Sequence, residues 1–196
     1  MNVGVLALQG AFREHRRAFE RLGANVSEVR LPDHLKGLSA VVIPGGESTT
    51  MAKLMLSYGL DQALHRFHDN GGAVWGTCAG AIAVASDIVG RPEQPTLGLI
   101  DMTVERNSYG RQIASFEADL EITGLVEGPF HAVFIRAPRL VRVGPGVEVL
   151  GSLEGDPVIV RQGRLLAGVF HPELSGDDRV HRYFLEQVAA AVAVTG

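Results

Sequence analysis

Residues Val3 to Leu8, VGVLAL, form a nearly unbroken apolar run, the pattern of a strand covered on both faces. After Gln9-Gly10 the period lengthens. Phe12, Phe19 and Leu22 fall on one face of a helix predicted from Ala11 to Leu22, with REHRR mostly on the other. Gly23 ends that helix. NVSEVR, AVVIP (Ala40 to Pro44) and GAVWG (Gly72 to Gly76) read as the next strands. One or two helices containing MAKLML and LDQALHRFHD separate the last two. Strands alternating with helices at this spacing predict a parallel α/β sheet.

From about Asp101 the texture becomes β-rich. DMTVERN, SFEADLEI, HAVFIRA, VEVLGSL and the hairpin PVIVRQG-RLLAGVF are joined by short glycine and proline turns. Val180, Phe184, Gln187, Val188 and Ala191 place a closing helix. The expected architecture is α/β, in three layers: one mixed sheet, parallel in its first half, with helices on both faces. A single domain over residues 1–196 suits the length.

Composition narrows the function classes. With 46% hydrophobic and 20% charged residues the chain can build a core. A net charge of -4 argues against nucleic acid or an anionic membrane as partner. No apolar run reaches the ~18 residues of a membrane span. The opening MNVGVLAL reads as a strand, not an export signal, so a cytoplasmic protein is expected. One cysteine leaves no intrachain disulfide and no cysteine-rich metal site.

That cysteine, Cys78, lies in GTCAGA between small residues, where a strand turns into a helix. A lone cysteine is most often a small buried hydrophobe. Gly76-Thr77-Cys78-Ala79-Gly80 is also G-x-C-x-G, the cysteine counterpart of the nucleophile elbow. There small neighbours let a strained turn expose the reactive atom. A helix starting near Ala79 aims unpaired N–H groups and its positive end at the sulfur. The second reading needs a base. Of the seven histidines, His15, His34, His65, His68 and His181 read as surface imidazoles, and His131 opens a strand. His171 differs, following an apolar strand in GVFHPE. Pro172 biases His171 towards extended backbone, where residues two apart point the same way, so Glu173 can orient the ring.

PGGEST, GTCAGAI and GVFHPE, in this order and spacing, resemble the class I, triad-type glutamine amidotransferases. VGVLALQGAFREH, PGGESTTM, ERNSYGRQ and FIRAP extend the resemblance over essentially the whole chain, most closely to the glutaminase subunits of pyridoxal 5'-phosphate synthases. The resemblance implies a flavodoxin-like fold with Cys78 as nucleophile, His171 as general base and acid, and Glu173 as orienting carboxylate. L-Glutamine would be the substrate, hydrolysed through a thioester to glutamate and ammonia. Oxyanion donors would be the N–H of Ala79 and the Gly45-Gly46 loop, with the donor on Gly46. Gly46, Glu47, Ser48, Arg106, Ile135 and Arg136 would hold glutamine.

No cofactor and no metal are implied. Pyridoxal 5'-phosphate would be the product of a synthase subunit that receives the ammonia within a large hetero-oligomeric ring. That subunit would switch on a weakly active glutaminase, with Gln9 and Gly10 relaying the contact. The rival readings are a cysteine peptidase or γ-glutamyl hydrolase, another ammonia-channelling subunit such as one serving histidine synthesis, and a non-catalytic amidotransferase-like binding module.

Overall fold

The computed structural model describes residues 1–106 and 115–190. In chain order its elements are β1 (Asn2–Leu6), α1 (Phe12–Arg21), β2 (Asn25–Val29), β3 (Ala40–Ile43), α2 (Ser48–Ser57) and α3 (Leu60–Asp69). Then come β4 (Ala73–Thr77), α4 (Ala79–Val84), β5 (Ala85–Ile88), β6 (Ile100–Glu105), β7 (Ser115–Leu120) and β8 (Phe130–Ile135). The chain closes with β9 (Arg139–Val143), β10 (Glu148–Leu153), β11 (Asp156–Gln162), β12 (Leu165–Gly168) and α5 (Arg179–Tyr183), which runs into a π-helical segment, Phe184–Ala189.

The main sheet has seven strands in the order β10-β11-β12-β4-β3-β1-β2. β2, β1, β3, β4 and β12 are mutually parallel, while β11 and β10 add an antiparallel edge. The apolar run of β1 is buried from Val3 onward, and β3 and β4 are buried throughout, as a sheet covered on both faces requires. From β1 the chain crosses to β2 on one side; from β3 it crosses to β4 on the other. Right-handed crossovers in opposite directions put α1 on one face and α2 with α3 on the other. The two helices after β3 part at Gly59, whose φ of 68° ends one and begins the other.

The 2-1-3-4 strand order makes the gap between β1 and β3 a switch point, and ligand crevices in such sheets open at the carboxyl ends of the strands there. The loops after β1, β3, β4 and β12 meet at that end. They carry Gln9-Gly10, Gly45-Gly46, Cys78 and His171.

The β-rich stretch does not all join one sheet. β5, β6 and β9 form a three-stranded sheet, and β7 pairs with β8 alone. The β7–β8 ribbon leans on the main core through aromatic rings: Phe134 stacks on Phe116 at 4.6 Å and meets Phe170, just beyond β12, at 5.8 Å. Gln187 does not share the buried face of the closing helix; it is exposed, because the π-helical turn changes the period assumed for that face. Ala191 and the part of ERNSYGRQ beyond Arg106 lie outside the described residues. Among the described residues no helix is long and apolar enough to cross a membrane.

Candidate active site

Cys78 sits between β4 and α4 with φ 50° and ψ -106°, a conformation few non-glycine residues adopt. Its N–H donates to the Gly168 carbonyl at 2.8 Å, tying the elbow to the end of β12. The small neighbours are required sterically. A Cβ on Gly76 would overlap the Gly80 carbonyl, and one on Gly80 would overlap the Ile43 carbonyl. The thiol is nearly buried at 7% exposure, with Sγ 3.8 Å from the Ile135 carbonyl oxygen. Ala79 opens α4, so its N–H has no intrahelical acceptor.

His171 follows β12 and is held by its own N–H, which donates to the Val133 carbonyl of β8 at 2.8 Å. Glu173 reaches the ring differently from the extended-backbone expectation. Pro172–Leu174 is a turn of 3-10 helix, and from it the Glu173 Oε1 stands 2.8 Å from His171 Nδ1. Burial works against a charge on His171, but the Cys78 thiol and the Glu173 carboxylate outweigh it and raise the imidazole to about 10. Burial likewise disfavours the Glu173 carboxylate, yet His15 and His171 together hold it below the usual carboxylate range.

In front of these groups lies a cavity of about 310 Å³, lined by Gly10, Gly45, Gly46, Cys78, Arg106, Ile135, Arg136 and His171 among others. It lies at the small end of ligand pockets, which run ~300–1,000 Å³. Gly45 is packed so closely that a Cβ there would press on the His171 ring. The two loops forming the rim are stapled together. Gln9 Nε2 donates to the Glu47 carbonyl at 3.2 Å, Gln9 Oε1 accepts from the Glu47 N–H at 3.0 Å, and the Ala11 N–H donates to the Gly45 carbonyl at 3.3 Å. Only glycine fits at position 10: its φ is 86°, and a Cβ would overlap the Gly45 carbonyl.

The structure therefore brings together every residue singled out from the sequence, with different employment for some. The Glu47 side chain caps α2, accepting from the N–H groups of Thr49 and Thr50 at 3.0 and 2.7 Å, which holds its carboxyl at about 2. Arg106 Nη1 donates to Thr49 Oγ1 at 3.1 Å and to Gln94 Oε1, and its Nη2 lies 3.5 Å from Glu47 Oε1. Gln94 Nε2 in turn donates to Ser48 Oγ at 3.2 Å. Arg136, with φ 44°, projects its exposed guanidinium at the cavity, with no ion pair among the described residues.

Two histidines correct the sequence reading. His15 and His181 are not surface imidazoles; both are fully buried behind Glu173. His15 Nε2 lies 3.3 Å from Glu173 Oε2 and 3.1 Å from Thr77 Oγ1, and its Nδ1 lies 2.9 Å from His181 Nε2. The signal was present for His15. It stands three residues after Phe12 and four before Phe19, on the same helical face, and the flanking charges masked it. Gln94 lies in a turn with no periodicity to mark it. Among the described residues no cluster of histidine, cysteine and carboxylate side chains could hold a metal ion.

The sequence profile of the SNO glutamine amidotransferase family matches residues 5–190. A Thermus thermophilus protein named pyridoxal 5'-phosphate synthase subunit PdxT is 60% identical over 185 residues, covering 94% of this chain and 96% of the relative. A Deinococcus radiodurans protein of the same name is 58% identical over 189 residues, covering 94% and 96%. A crystal structure described as a glutamine amidotransferase superposes with a TM-score of 0.91 at 57% identity, covering 95% of this chain and 98% of the other. A crystal structure of a glutamine amidotransferase from Thermotoga maritima, 12% identical, covers 95% of this chain and 83% of its own, and shares the fold with a TM-score of 0.62.

Proposed function

The chain belongs to the SNO glutamine amidotransferase family, and from that premise we infer that it is the glutaminase subunit of a pyridoxal 5'-phosphate synthase. It hydrolyses L-glutamine to L-glutamate and ammonia, and the ammonia is consumed by a synthase subunit. The observation that carries this reading is the line from Cys78 through His171 to Glu173 behind a cavity of amino-acid size.

In the first half-reaction Cys78 Sγ attacks the side-chain amide carbon with the proton already held on His171, whose raised basicity keeps the imidazole protonated. Glu173, on Nδ1, keeps the other ring nitrogen facing the sulfur. The tetrahedral oxyanion is assigned to the N–H groups of Ala79 and Gly46. Collapse breaks the C–N bond, and His171 gives its proton to the departing nitrogen, releasing ammonia and leaving a glutamyl thioester. His171 then activates water, which splits the thioester to glutamate and restores the thiol.

Arg136 supplies the uncommitted cation for the glutamine carboxylate. Arg106, fixed by Gln94 and Thr49, shapes the rim with Glu47, Ser48 and Ile135. Pyridoxal 5'-phosphate is the partner's product, not a cofactor of this chain. The single catalytic unit, residues 1–196, works in the cytoplasm, where a lone reduced thiol persists.

The synthase subunit, arranged with this chain in a ring-shaped hetero-oligomer, activates it through the stapled loops. A Gln9–Glu47 clasp beside the Gly45-Gly46 peptide is placed to pass a contact at the rim to the oxyanion donor. Ammonia release from free glutamine, with and without saturating synthase subunit, tests the reading. Release that rises with the partner is expected, and a Gln9→Ala variant should lose most of the rise. An enzyme inert towards glutamine in both conditions would refute the glutaminase assignment.

A further inference from the structure

Behind the triad lies a second polar chain whose protons can be assigned from its burial and its geometry. The side chain of Glu173 is fully buried, and so are His15 on α1 and His181 on α5. Around them Trp75 packs edge-on to both imidazoles, with centroids 5.6 and 5.0 Å away, and Phe19 packs on His181 at 5.0 Å. Arg21 near the end of α1 grips Asp178, just before α5, through two hydrogen bonds of 2.8 and 2.7 Å, so the two histidine-bearing helices are tied together.

The 2.9 Å contact between His15 Nδ1 and His181 Nε2 holds one proton. Burial lowers the basicity of both rings, so both are neutral and each carries a single N–H. If His15 Nδ1 kept the shared proton, its bare Nε2 would face the Glu173 carboxylate at 3.3 Å, lone pair against charge. His181 would then carry its hydrogen on Nδ1, a buried atom with no acceptor within reach. A buried unpaired donor beside a repulsive contact is the costlier state. In the other arrangement His181 Nε2–H donates to His15 Nδ1. His15 Nε2–H then points between Thr77 Oγ1 and Glu173 Oε2, and the atom left over is an unpaired acceptor. The second arrangement is selected.

We propose that His15 is a positioning residue for Glu173, fixed as its Nε2–H tautomer by His181, so that the relay behind Cys78 runs His181, His15, Glu173, His171. Among the described residues the buried Glu173 Oε2 makes no hydrogen bond, and the polar nitrogen that stands against it is His15 Nε2 at 3.3 Å. Without His15 the carboxylate would be anchored by His171 alone and could turn about its own bond, taking the Nδ1 partner off axis. With His15 in place both oxygens are held, and the His171 ring keeps its Nε2 towards the sulfur. Neither His15 nor His181 lines the cavity, so their effect is on turnover and not on glutamine binding.

The inference rests on the glutaminase reading for its kinetic test but not for its spectroscopic one. Steady-state glutaminase kinetics with saturating synthase subunit should show His15→Leu lowering kcat by about 10–100-fold, as for other groups that orient a working imidazole, with KM changed less than about twofold. His15→Gln, which keeps a terminal N–H near the Nε2 position, should recover part of the loss, and His181→Leu should fall between. In the wild-type chain, 15N chemical shifts should show Nε2 protonated and Nδ1 bare on both His15 and His181. A folded His15→Leu enzyme with wild-type kcat would overturn the proposal, as would a protonated Nδ1 on His15. Should His15→Leu fail to fold, a His15→Gln variant with no gain over His15→Ala would serve the same purpose. Wild-type protein without glutaminase activity would refute the glutaminase reading while leaving the tautomer measurement to decide on His15.

Discussion

On the cavity side of His171 the chain presents glycines, a sulfur, backbone N–H groups and an exposed arginine; on its other side it packs a carboxylate, two imidazoles and an indole out of contact with water. The front must admit a polar amino acid and release ammonia. Its parts are therefore small, partly open and held by backbone hydrogen bonds between loops. The back admits nothing. Low dielectric strengthens its hydrogen bonds, and dense packing of Trp75, Phe19 and Phe184 keeps each ring in one place. Substrate capture and proton positioning are thus assigned to opposite sides of one imidazole.

The separation is broken most severely at its centre. Cys78→Ala should abolish glutamine hydrolysis while leaving the fold and partner binding intact, because only one small group is removed from a nearly buried elbow. Undiminished ammonia release would remove the nucleophile assignment. Next comes Glu173→Gln, which keeps the size of the side chain and loses its charge on the dry side. A fall in kcat of about 10²–10⁴-fold with KM nearly unchanged is expected, the loss typical of an orienting carboxylate. A change mainly in KM would place Glu173 with the substrate groups.

A front-side change should divide the other way. Arg106→Ala removes the donor shared by Gln94 and Thr49 and should raise KM for glutamine about tenfold, roughly 1.4 kcal/mol, with kcat little altered. Lys should restore only part, since one ammonium cannot meet Gln94 and Thr49 through one nitrogen and Glu47 through another as the planar fork does. The smallest effect belongs to Glu47. Its folded-state carboxyl titrates at about 2, down from 4.5, so its cap stabilises the protein above about pH 4.5 and is lost as pH falls towards 2. Half-exposed and solvent-screened, it contributes about 0.5–1 kcal/mol. Acid unfolding followed by circular dichroism should show Glu47→Gln lowering stability at pH 6 but not at pH 2; a loss of equal size at both would assign the effect to packing.

The front of the site was legible in the sequence because its residues arrive in short contiguous runs. PGGES, GTCAG and HPE each carry their geometry locally: glycines where backbones touch, a strained elbow, a proline after the base. That the first strands form a parallel sheet was legible for a related reason, since apolar runs alternate with helical periods; their order was not. Of the back only Glu173 was legible, through HPE. His15, Thr77 and His181 come from three further elements, and the flanking charges masked the one signal present, the helical spacing of His15 from Phe12 and Phe19. What brings them together is the docking of α1 against α5, a tertiary event. The same limit applies to the β-rich segments: the pattern marks β6, β7 and β8 as strands and passes over β5 and β9, and which edge each one joins is set by packing over distances the pattern does not encode.

Helix α1 is engaged at two points of the reaction centre. Ala11, before its first turn, holds the Gly45 carbonyl, and His15, one turn on, faces Glu173. The helix is ten residues long, ~15 Å of stiff rod, with its far end latched to Asp178. It therefore behaves as a lever whose short arm touches both machines. A small rotation about its axis would move the Gly45 loop and the Glu173 carboxylate together. A partner that gripped the outer face of this helix would reach both contacts with one displacement.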